Sequence, residues 1–213
     1  MHVELTNEQL LTTTRTVRKR LDLSRPVERE VIEECLELAV QAPTGSNRQE
    51  WHWVFVTDPE KKRALGELYV RPDPSYRSIT NPELGPDDVR ARSGAAISSS
   101  VEFLREHMGD APVLLVPCHL GRVDNAPVAT QAVLWGSLYP AVWSLFLALR
   151  TRGLGSAWTS VLLRYEREAA EILGIPYETY TQGGLFPIAY TVGTDFKPAP
   201  RRPVSEIIHW NQW

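Results

Sequence analysis

Four stretches of the 213-residue chain carry residue types whose spacing could do chemistry. The first is TTRTVRKR at 13–20, where Arg15 and Arg18 stand three apart with Thr16 between them. On a helix the two arginines share a face, while Lys19 and Arg20 fall off it. Guanidinium groups match the geometry of a phosphate, so the pair reads as a phosphate site. It reads equally as a cationic helix C-terminus, which the helix dipole favours. The second stretch runs from Lys197 to Arg202, with prolines at 198, 200 and 203 that stiffen the backbone toward polyproline geometry. A stiff arm could deliver Arg201 and Arg202 to a fixed place, so that one anion is gripped from both ends of the chain. The third is QAPTGSNRQEW at 41–51. Asn47 and Gln49 can each donate and accept, as the edge of a heteroaromatic ring requires; the same residues also make an Asn-stabilised turn. The fourth is GLGSAWTS at 153–160, with Thr159 and Ser160 as hydroxyl donors. It lacks the third glycine, the lysine and the strand-then-helix context of a dinucleotide or P-loop motif.

Other chemistries find little support. There is no G-x-S-x-G elbow. The histidines at 2, 52, 107, 119 and 209 are scattered without metal-ligand spacing, so no metal is expected. The balance of 23 basic and 26 acidic residues, net −3, argues against a nucleic-acid or anionic-membrane surface. Cys35 and Cys118 lie far apart in apolar settings and read as buried free thiols in a reducing compartment. No apolar run behind a basic cluster marks a signal peptide, and no stretch approaches the roughly 20 apolar residues of a membrane span. A cytoplasmic protein is expected.

The elements that must position these stretches follow from periodicity and punctuation. A helix is expected over 6–21 from a Thr6 cap, and a second from Ser24–Pro26 until Pro43 and Gly45 stop it. WHWVFVTD at 51–58 reads as a strand, Asp58-Pro59 opens a helix to about Tyr69, and 70–87 is a long polar loop. A helix over about 87–107 and a strand at 112–120 follow. Residues 126–152 form a long apolar helix, with a kink or break expected near Leu138 because of Pro140. Strands are expected at 156–163 and 186–193, with a short helix at 165–173 between them. This order is not βαβ alternation. It predicts one α+β domain over 1–213, half or more of it helical, with a sheet of about four strands.

With these pieces in order, the chain resembles the nitroreductase superfamily of FMN-dependent oxidoreductases. The resemblance rests on RTVR at 15–18 and APTGSNRQEW at 42–51, supported by GLGSAWTS, by LGIP at 173–176 and by PRRPVSEIIHWN near the end. It implies a central mixed or antiparallel sheet of four to five strands in an intertwined homodimer with FMN at the subunit interface. It assigns Arg15, Thr16 and Arg18 to the FMN phosphate and the pyrimidine edge, and Arg201 and Arg202 to the phosphate grip. Pro43, Thr44, Gly45, Asn47 and Gln49 would lie against the flavin of the other subunit, and Thr159 or Ser160 near flavin N5. Hydride would come from NADH or NADPH and pass in a ping-pong cycle to a nitroaromatic, quinone or related small molecule. Because the flavin carries that chemistry, no side-chain acid or base is obligatory. The family also allows reductive dehalogenation, flavin fragmentation or dehydrogenation of a small substrate, and a non-catalytic flavin-storage protein is a further alternative. The chain departs from the pattern at Thr14, where many members carry a second arginine, and at Glu50, where the family has proline. Loop 70–87 and the aromatic helix segment 135–146 are expected to shape the substrate pocket, and 195–213 is read as a C-terminal arm.

Overall fold

A computed structural model describes residues 2–72, 83–85, 88–90 and 94–213. Most of the expected loop 70–87 lies outside these residues. Five strands form one sheet: β1 (Trp51–Val56), β2 (Val113–Leu120), β3 (Leu154–Ser156), β4 (Tyr180–Gln182) and β5 (Phe186–Tyr190). Their order is β1-β2-β5-β3, with β4 also on β2. Every strand pair is antiparallel.

The run VLLVPC at 113–118 of β2 is continuously apolar because helices cover both faces of its sheet. Val113 and Leu115 face one core with α2 (Arg29–Ala39) and α5 (Val128–Thr151). Leu114, Val116 and Cys118 face the other, with α3 (Pro59–Val70), α4 (Gly94–His107) and α6 (Glu166–Leu173). Alternation with period two divides the side chains between the two layers. The thiols of Cys35 and Cys118 are free and fully buried, and burial pushes them up to about 11 and about 12 respectively. Neither should react with a disulfide reagent at pH 8 until the protein is unfolded; prompt titration of two thiols in the native protein would contradict this packing.

α1 (Asn7–Thr13) starts where expected: Thr6 and Gln9 cap each other's backbone N–H groups. It does not continue to residue 21. Thr12, Thr13 and Thr14 each donate a hydroxyl to the carbonyl four residues back, at 2.6–2.7 Å, and such bonding loosens a helix. Val17 N–H then pairs with the Ser156 carbonyl at 2.8 Å, and Leu21 bridges Thr191. Residues 15–17 therefore run extended along the margin of the sheet, and 18–21 form a turn in which Leu21 N–H donates to the Arg18 carbonyl at 3.0 Å. α2 also begins later than expected, at Arg29. The Asp22 carboxylate accepts from Ser24 N–H, Ser24 hydroxyl and Arg25 N–H, which holds 22–25 as a turn.

The strand expected at 156–163 is confined to 154–156, and a 3₁₀ turn at Val161–Tyr165 replaces its second half. β4 was not foreseen, being three residues between turns. Among the described residues α-helix covers well under half the chain, less than expected. α4 starts at Gly94 rather than near Asp87.

α5 runs through Pro140 as one helix, so of the kink or break expected near Leu138 the break does not occur. Ser137, one turn before the proline, accepts the Trp51 indole N–H on its carbonyl at 2.8 Å. α5 also overturns the expectation about apolar stretches. By length and composition its 24 residues are enough to cross a membrane, an 18-residue stretch within them reaching a mean hydropathy of 1.6. In this structure it is the central core helix, with Leu138, Ala141, Val142, Leu145 and Leu149 fully buried against α2 and the sheet.

Candidate functional site

The course of 15–20, extended to Val17 and then turning, changes the geometry of the first basic stretch. Arg15, Thr16, Val17, Arg18, Lys19 and Arg20 line one side of a cavity of about 410 Å³, and Asp195, Phe196 and Lys197 line the other. The two ends of the chain do meet, as expected, but through residues 195–197. Arg15 Nη1 donates to the Lys197 carbonyl at 2.9 Å. Arg20 Nε donates to the Val192 carbonyl and Nη2 to Asp195 at 2.6 Å, and its guanidinium lies 4.2 Å from the centre of the Phe196 ring. Thus the only acid in the lining is already paired, and the arginine that pairs it braces the wall.

Arg18 is half-buried. Its Nη1 points to Ser100 Oγ at 3.4 Å, and burial lowers its pKa while Tyr69 acts in the opposite sense. It stays charged, since an arginine of ordinary pKa above 12 has a wide margin. Lys19 Nζ donates to Ser99 Oγ at 2.6 Å. The serines SSS at 98–100 and Tyr69 at the end of α3 thus belong to the surroundings of the site. Sequence reasoning missed them, since no motif marks a serine on an α-helix as a partner of distant cations. Lys19 and Arg20 were set aside for a different reason: the wrong element was assumed for 14–20.

Thr16 lies against the segment after β3, with its hydroxyl 3.5 Å from Trp158 N–H. Thr159 follows it, buried, and donates its hydroxyl to the Leu185 carbonyl at 2.5 Å. Its side chain is also in contact with Tyr69. Its hydroxyl proton is committed, so a donor role here falls to backbone N–H groups or to Ser160, which is exposed. Gly184 makes this arrangement possible. It sits at φ +136, and a Cβ there would stand 2.5 Å from the Thr159 carbonyl oxygen.

The turn at 43–49 is elsewhere. Gly45 N–H donates to Ser137 Oγ at 3.0 Å, and a Cβ on Gly45 would meet Val133 at 2.8 Å, so the glycine lets the turn sit on α5. Ser46, Asn47 and Gln49 all adopt φ 54, a conformation costing on the order of 1–3 kcal/mol for a non-glycine residue. Thr44 Oγ1 accepts from Gln49 N–H, and Gln49 Nε2 donates to Asn47 Oδ1. Glu50, half-buried, faces Arg48 at 3.9 Å.

Strand register gives the separation of the turn from the basic cavity. Val17 pairs beside Ser156, which is level with Ile188 and Val113, beyond the Val56 end of β1. The turn feeds the opposite end of β1, at Trp51. Four strand spacings across and six residues along place the two roughly 25 Å apart within one chain. Arg201 and Arg202 do not join the cavity either. Arg201 donates to the Pro200 carbonyl, Arg202 pairs with Glu206, and the arm is exposed.

The structure therefore brings together Arg15, Thr16, Arg18 and Thr159, and leaves Pro43, Thr44, Gly45, Asn47, Gln49, Arg201 and Arg202 apart from them. The cavity's donor set, four cations beyond Arg20 (Arg15, Arg18, Lys19 and Lys197) and the Thr16 hydroxyl, suits a phosphate dianion.

An α+β sheet covered on both faces, with a basic cavity where its margin meets the C-terminal segment, defines the class to which the comparisons also point. Residues 11–190 match the model of the Nitroreductase family, and the chain belongs to that family. An NADH dehydrogenase or NAD(P)H nitroreductase of Archaeoglobus fulgidus is 27% identical over 208 residues, covering 96% of this chain and 97% of its own. The iodotyrosine deiodinase of Thermotoga neapolitana is 25% identical over 175 residues, 81% of each chain. The crystal structure of the FMN- and NADPH-dependent nitroreductase NfnB from Sphigopyxis sp. strain HMH superposes with a TM-score of 0.71 at 22% identity. That match covers 98% of this chain and all of NfnB.

Proposed function

We propose that this protein is an FMN-dependent oxidoreductase that takes hydride from NADH or NADPH and passes electrons to a nitroaromatic, quinone or related acceptor. The observation that carries the reading is the cationic cavity formed by 15–20 and 195–197 in a chain of this family. Arg15 and Lys19 would neutralise the FMN phosphate, with Thr16 donating a hydroxyl. When bound, FMN would supply the hydride-transfer chemistry, and the protein's part is orientation and electrostatics. Arg18, half-buried and held by Ser100, has a stronger field than an exposed arginine because water screens it less. Placed at the pyrimidine edge it favours negative charge there and so favours reduction of the flavin.

The flavin site is read as shared between two subunits. The turn 43–49 is shaped as a binding wall, yet it lies roughly 25 Å from the cavity of its own chain; a second copy could bring the two together. Exposed Trp210, Trp213, Ile207 and Ile208 on the arm are in keeping with such a dimer. The two buried free thiols fit a reducing, cytoplasmic setting.

A second reading keeps the flavin and changes the acceptor, and the 25% identity to a deiodinase favours reductive dehalogenation as that chemistry. NAD(P)H oxidation measured against a nitroaromatic, a halotyrosine and oxygen alone separates them. The leading reading expects turnover with the nitroaromatic at least tenfold above oxygen alone. Turnover confined to the halotyrosine would replace it, and oxidation of neither nicotinamide with any acceptor would leave a flavin carrier.

A further inference from the structure

Behind the basic cavity lies a smaller one, lined by Thr13, Thr14, Arg150, Gly155, Ser156 and Phe196 among others. Arg150 comes from the last turn of α5 and is only 4% exposed. Its Nη2 donates to the Thr194 carbonyl at 2.8 Å, and its guanidinium lies 4.9 Å from the centre of the Phe196 ring. Among the described residues its Nε and Nη1 have no hydrogen-bond partner, and neither has the buried hydroxyl of Ser156 on the same cavity wall. No carboxylate pairs with Arg150 among the described residues; the nearest charge acting on it is the like charge of Arg20.

An isolated buried cation with two unmet donors is expensive. The space is about 10 Å³, enough for one particle of near-water size and too small for a phosphate or sulfate. Size therefore demands a single atom or a water, and charge decides between them, because the unmet polar groups on a wall otherwise largely apolar, Arg150 Nε and Nη1 and the Ser156 hydroxyl, can all donate. We propose that this inner cavity binds a monoatomic anion of the halide class, held by Arg150 Nε and Nη1 and by the Ser156 hydroxyl. The ion compensates the Arg150 charge and, through the Thr194 carbonyl and Phe196, fixes the segment 194–197 that walls the outer cavity. It is distinct from any phosphate bound outside.

Crystals of the protein as purified, grown in sodium bromide, should show an anomalous peak within hydrogen-bond distance of Arg150 Nε and Nη1. In solution, chloride replacing gluconate at constant ionic strength should raise Tm by about 3–5 °C per tenfold increase above the binding midpoint. Arg150→Met should abolish both effects. Ser156→Ala, which keeps the charge, guards against a misfolded Arg150 variant and should shift the chloride midpoint upward at least threefold. A light-atom water at that position in bromide, or a chloride response unchanged in Ser156→Ala and Arg150→Met, would overturn the proposal.

Discussion

Replacing Arg15 with alanine should strip the protein of most of its bound flavin while leaving the fold intact. The side chain is exposed, and among the described residues it makes one hydrogen bond, to the Lys197 carbonyl, so its removal costs the fold little. Toward a phosphate it can offer two charge-assisted hydrogen bonds, each worth about 1.5–3 kcal/mol. With Thr14 beside it rather than a second arginine, Arg15 would carry much of the proposed phosphate grip. A loss of about 3 kcal/mol is roughly a hundredfold in Kd. The ratio of visible flavin absorbance to protein should fall accordingly, and affinity for riboflavin, which has no phosphate, should change little. Full occupancy in the variant would remove Arg15 from the phosphate site.

The second large effect is structural. Gly184→Ala meets two obstacles at once: φ +136, which L side chains rarely adopt, and a Cβ 2.5 Å from the Thr159 carbonyl oxygen and 2.9 Å from the Phe186 ring. Backbone atoms cannot yield as the end of a side chain can. A cost of about 3 kcal/mol is expected, or a Tm lower by about 6–12 °C in a chain of this size. Because the displaced atom belongs to Thr159, next to Thr16 and Tyr69, turnover should fall even at temperatures where the variant is folded. A Tm within 2 °C of the parent would show that the segment 157–160 can move freely, contrary to its packing.

How far the fold was legible in the sequence depended on the kind of signal. Asp58-Pro59 and Thr6 named their helices because a cap is a local device whose partners lie within three residues. β2 was legible because a strand buried on both faces has to be apolar throughout. Residues 14–20 were not, because their conformation depends on a partner 139 positions away: Val17 pairs with Ser156. The arginines were recognised by type and order, and their geometry was wrong for the same reason. Arg201 and Arg202 were expected at the phosphate, but Lys197 meets Arg15 instead. Contacts such as Arg18 with Ser100 and Thr159 with Tyr69 join distant residues, so spacing could not reveal them. The turn 43–49 was read as a ring-edge site from Asn47 and Gln49. The three positive φ values that mark it as strained are not written in residue types, since none of the three is glycine.

The most direct test is the visible spectrum of the purified protein under anaerobic titration with NADH and NADPH. An FMN-dependent oxidoreductase should arrive yellow, bleach with at least one nicotinamide at one equivalent per flavin, and recover its colour on addition of a nitroaromatic or quinone. A colourless protein that takes up no added FMN, or a yellow one that neither nicotinamide bleaches, would contradict it.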